Sequence, residues 1–104
     1  MITVKDVMPM LVKACPSFKE TYDGLIAFHG EPVTVLLMDD FADHVFYLYE
    51  NGDTDSFAKV FNVIQEIKSD GDEGAKELVI RYFFGEIDHL VAKRKSNSIT
   101  QGEK

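Results

Sequence analysis

The chain has 104 residues, 45% of them hydrophobic and 28% charged, with 11 Lys and Arg against 18 Asp and Glu, a net charge of −7. This is the size and balance of one soluble domain with its own apolar core, and it excludes a wholly disordered chain. The single cysteine, Cys15, excludes an internal disulfide and a cysteine-built zinc site.

The charge is uneven. No Lys or Arg lies between Glu20 and Phe57, whereas Lys93, Arg94 and Lys95 gather near the end. Phosphates would be repelled from the main body and the basic cluster is short, so nucleic acid is not an expected partner. No apolar run approaches membrane-spanning length and the start lacks a leader pattern, so no membrane association and a cytoplasmic location are expected. Acids on this scale suit a basic partner, and equally suit simple solubility.

Thr3 and Asp6 form a weak capping box ahead of Val7, Met8, Leu11 and Val12, which recur at helical spacing. Pro9 either bends this first helix or pushes its start to about Val7. After Cys15-Pro16, Ser17 is the expected cap of a second helix with Phe18, Tyr22, Leu25, Ile26 and His29 on one face, stopped at Gly30. The apolar stretch from Val33 to Glu50 is too long for a strand and reads as a third, central helix.

Past the turn at Asn51 to Thr54, Phe57, Val60, Phe61, Ile64 and Ile67 mark an amphipathic fourth helix. Asp72 and Glu73 then favour entry to a fifth, carrying Leu78, Val79, Tyr82, Phe83, Ile87, Leu90 and Val91. The expected fold is all-α: a compact bundle of four to five antiparallel helices over residues 1–95, with a disordered C-terminal tail at 96–104.

No phosphate-binding loop or nucleophile signature is present, so no catalytic residue and no cofactor are expected. Asp40 and His44 fall on a largely apolar sector of the third helix, as do Glu86 and His89 on the fifth, and the four form an expected buried polar set. Glu86-x-x-His89 has the spacing used by di-metal carboxylate bundles, but the further ligands such a site needs are missing. Internally satisfied hydrogen-bonded pairs are the simpler reading, with a metal or small-ligand site between the two helices as the alternative. Apolar residues on more than one face of these helices leave room for a homodimer or a protein-binding surface.

Pro16-Ser17-Phe18, Asp39-Asp40-Phe41-Ala42, Leu48-Tyr49-Glu50-Asn51-Gly52, Val60 to Ile67, the Gly71-Asp72 turn and Phe84-Gly85-Glu86-Ile87 follow in an order that resembles an uncharacterised family of small all-helical bacterial proteins, itself similar to immunity proteins of toxin systems. That resemblance implies a non-enzymatic protein masking a basic toxin, with Glu31, Asp39, Asp43, Glu50, Asp53 and Asp55 steering the encounter and Tyr47 and Tyr49 as aromatic anchors. A purely structural or regulatory homodimer remains open beside it.

Overall fold

The computed structural model describes residues 1–102, with side chains described through Arg94. The first helix, α1, spans Val4–Ala14. The Thr3 amide and hydroxyl both donate to the Asp6 carboxylate, at 2.9 and 3.1 Å. Pro9 sits inside the helix on its exposed side, so the late start is excluded. The amide it lacks would have met the Lys5 carbonyl, and Lys5 is exposed, leaving that oxygen to water. Val7, Met8, Leu11, Val12 and Ala14 are buried on the opposite side.

Pro16–Phe18 forms one 3-10 turn, followed by α2, Lys19–His29. Gly30, at φ +77°, closes α2 by donating its amide to the Ile26 carbonyl at 2.8 Å. Ser17 does not cap α2, because its hydroxyl is engaged elsewhere. Tyr22, Leu25 and Ile26 lean half-buried on the core, while His29, a turn further along, is exposed. α2 buries none of its residues fully.

α3, Thr34–Glu50, supplies Leu37, Met38, Phe41, Ala42, Val45 and Leu48 to the core. α4, Phe57–Asp70, adds Val60, Ile64 and Ile67. The last helical rod has three parts: α5, Glu73–Glu77; a π segment, Leu78–Phe83; and α6, Phe84–Gly102. Asp72 caps α5, its carboxylate accepting from the Ala75 amide at 2.9 Å. The expected tail at 96–104 falls on residues whose side chains lie outside the described ones.

The π segment has a cause in the sequence. Val79, Phe83, Ile87 and Val91 recur every four residues, a step that drifts around an α-helix of 3.6 residues per turn. One wider turn, in which the Phe84 amide reaches the Val79 carbonyl, takes up part of that drift. Leu78, Val79 and Phe83 thereby all reach the interior.

α4 packs on α1, while α3 packs on the π segment and α6. Phe41 of α3 meets Phe83 at 5.9 Å between ring centres, and Glu50 further along α3 meets Arg94 further along α6. The two helices therefore run side by side in the same direction, with α4 returning the chain between them. At the far side of the core, Ile2 is clasped by the α4–α5 turn. Its amide donates to the Asp70 carbonyl at 3.0 Å, and the Asp72 amide donates to its carbonyl at 2.8 Å.

Candidate functional site

The contact between α3 and α6 separates two different surfaces. On one, Asp39 and Asp43, one turn apart on α3, stand beside Glu86 of α6. The Asp43 carboxyl lies within hydrogen-bonding reach of Glu86 and, with burial and the charges of Asp43 and Asp39 adding to it, pushes Glu86 up to about 7. Burial and then repulsion from Asp43 raise Asp39 above the usual carboxylate range. Burial comes first for Asp40 as well, followed by Asp43 and Asp39, with His29 pulling the other way. These carboxyls are crowded at a cost that no neighbouring Lys or Arg relieves among the described residues.

The expected buried polar set does not form. Among the described residues no polar or charged side chain is buried, and His89 is exposed. His44 is partnered by Ser17, with Nε2 2.8 Å from the hydroxyl oxygen, and packs on the Phe18 ring at 5.4 Å. Burial lowers its pKa, partly offset by Asp53. Glu86 meets Asp43 and not His89. Positions turned at a constant 100° per residue misplace Glu86 and His89, because the π segment resets the phase of the last helix just before them. Among the described residues no three His, Cys, Asp or Glu side chains are grouped so as to hold a metal ion.

The remaining acidic candidates are scattered. Glu31 lies in the α2–α3 link, Glu50 is paired with Arg94, and Asp53 and Asp55 sit exposed in the loop after α3. Tyr47 and Tyr49 are each 61% exposed. They point different ways: Tyr49 lines the second surface, which Tyr47 does not reach.

That second surface is a groove of about 670 Å³. It exists because α4 leans on α1 and leaves a gap beside α3. Val45, Phe46 and Tyr49 of α3 form one wall, and Phe57 and Phe61 of α4 the other. Phe83, Phe84, Ile87 and Val91 form the floor, and Arg94 closes one end. The rings meet edge to face or tilted: Phe57 on Phe61 at 6.0 Å, Phe83 on Phe84 at 5.3 Å, and Phe46 beside Tyr49 at 6.3 Å.

Phe57, Phe61 and Phe83 fall on the sides of their helices that the spacing marks as apolar. Periodicity marks which side of a helix is apolar, and it does not say whether a neighbour covers that side. The available signal was the breadth of apolar surface on the third and fifth helices, which exceeds what one buried face requires.

No curated protein and no solved structure matches the chain. The model of a domain of unknown function, DUF7674, matches residues 8–101, a span that takes in both the acidic surface and the groove, and the chain belongs to that family.

Proposed function

We propose that this is a non-enzymatic cytoplasmic binding protein whose acidic α3–α6 surface masks a basic protein partner, in the manner of an immunity protein covering the cationic substrate-binding face of a toxin. The observation that carries the reading is the crowding of Asp39, Asp43 and Glu86. Carboxyls held together strongly enough to push Glu86 up to about 7 are stabilised by any cation brought among them. A Lys- or Arg-rich surface would supply that cation, release the shared proton and gain charge-assisted hydrogen bonds. The charge of −7 also speeds the encounter with such a partner.

Asp39 and Asp43 are the contact carboxylates in this reading, and Glu31, Glu50, Asp53 and Asp55 contribute to the wider field. The test compares the wild type with the Asp39→Lys, Asp43→Lys double variant as bait in extract of the source cell. Folding of the variant is checked by circular dichroism. A basic protein retained stoichiometrically by the wild type, released by salt and lost from the variant is the expected result. Equal retention by both baits, or retention of no basic protein by the wild type, overturns the reading.

A further inference from the structure

The groove is separate from the acidic surface and has different chemistry. We propose that it binds a small amphiphile, an apolar chain ending in a carboxylate, with the chain on the Phe46, Phe61, Phe84 and Ile87 side chains and the carboxylate on Arg94.

Its volume of about 670 Å³ falls within the roughly 300–1,000 Å³ of small-molecule sites, and its lining is apolar apart from a single charged group among the described residues, Arg94. The apolar surface is bounded in length. Lys68 stands over the Phe84 ring at 5.8 Å near one end, and the Glu50–Arg94 pair stands at the other. From Phe84 to Arg94 the floor helix rises about 15 Å, the length of an extended chain of roughly a dozen carbons. A strip of this limited length with one charged residue in its lining suits a short molecule with one charged end better than a continuous helix or sheet from another protein.

Arg94 supplies the polar specificity. Its guanidinium carries five N–H donors in a planar fork, and Glu50 is bonded to one arm only, Nη1. The remaining edge can take a second carboxylate without breaking the first pair. The site is also open to solvent, since Phe61 and Tyr49 in its walls are 45% and 61% exposed.

The test titrates the full chain, observed by amide NMR, with dodecanoate and with dodecan-1-ol below their aggregation limits. Dodecanoate is expected to bind saturably, one molecule per chain, moving the resonances of Phe46, Tyr49, Phe61 and Phe84. Arg94→Gln should weaken dodecanoate about tenfold, the loss of one charge-assisted contact, and leave dodecan-1-ol within about twofold. Phe61→Asp, at a half-exposed position and with its folding checked by circular dichroism, should abolish binding of both. Absence of saturable binding by dodecanoate overturns the proposal, as does an equal effect of Arg94→Gln on the two probes. So does a concentration-dependent dimer in sedimentation whose formation moves the same resonances, because the groove then belongs to a second copy of the chain.

Discussion

The Ser17 hydroxyl lies 2.8 Å from Nε2 of His44 and ties the turn between α1 and α2 to the middle of α3. α2 buries no residue fully, so this polar contact and the packing of Phe18 on Phe41 and His44 hold its start in place. Ser17→Ala should cost about 1 kcal/mol or less in urea unfolding at pH 7.5, the net worth of one partly exposed hydrogen bond. Hydrogen exchange should speed up more in α2 than in α3.

His44 also gives the protein a pH dependence of known sign. Its folded-state pKa is depressed, so the unfolded chain takes up the proton first. The stability it contributes is complete above about pH 6.5, the ordinary histidine value, and is lost as the pH falls from there toward the lower folded-state pKa. In His44→Gln that component should vanish, giving a flatter stability profile between pH 7 and pH 5 in denaturant titrations.

Glu86 works in the opposite direction. Its folded-state pKa is raised to about 7 from 4.5, so the folded chain holds a proton that the unfolded chain has released. Stability from this group is complete below pH 4.5 and is lost as the pH rises through 7. Glu86→Gln should therefore melt at a higher temperature than the wild type at pH 8, with the difference disappearing by about pH 4. Melting curves across that range measure it.

Two glycine-to-alanine changes should have opposite signs. A Cβ at Gly71 would collide with the Ile67 carbonyl oxygen and press on the Ala75 and Ile67 side chains at 3.2 and 3.3 Å. Gly71→Ala should destabilise by about 1–3 kcal/mol, the usual range for overpacking, and loosen the clasp on Ile2. A Cβ at Gly24, within α2, meets nothing within 4 Å. Gly24→Ala should stabilise by about 0.5–1 kcal/mol through helix propensity alone. Parallel urea titrations of the two variants measure both.

Core and groove aromatics should also separate in the same assay. Phe41 is fully buried between Phe18 and Phe83, and Phe41→Ala should cost about 3–5 kcal/mol. Phe61→Ala, at the half-exposed groove wall, should cost about 1 kcal/mol or less.

The fold was legible wherever one local rule decided it. The Val33 to Glu50 stretch is long enough to exclude a strand, Gly30 stops α2, and Asp72 starts the last rod, and each conclusion needs only neighbouring residues. Pro9 shows the limit. Whether a proline is tolerated inside a helix depends on whether the carbonyl it orphans faces water, which is a tertiary fact. Asp39 and Asp43 lie one turn apart on one uninterrupted helix, so their proximity needs no tertiary information. Glu86 was misplaced because the π segment resets the phase before it, and His44 was paired with Asp40 because nothing local links Ser17 to the middle of α3. The groove stayed hidden for a similar reason, since it depends on which helix α4 chooses to lean on.

The clasp between Ile2 and the α4–α5 turn bears on the order of assembly. It joins the first residues of the chain to position 71, and α1 finds its main packing partner only in α4. Both contacts close long loops, which are slow to form compared with neighbouring helical turns. During synthesis α1 emerges before α3 and α4, and its row of Val7, Met8, Leu11 and Val12 stays only partly covered until α4 has been made. A chaperone that engages nascent apolar segments would meet α1 in that interval, and a fragment ending before Gly71 would retain α1 and α4 with no clasp to hold them in register.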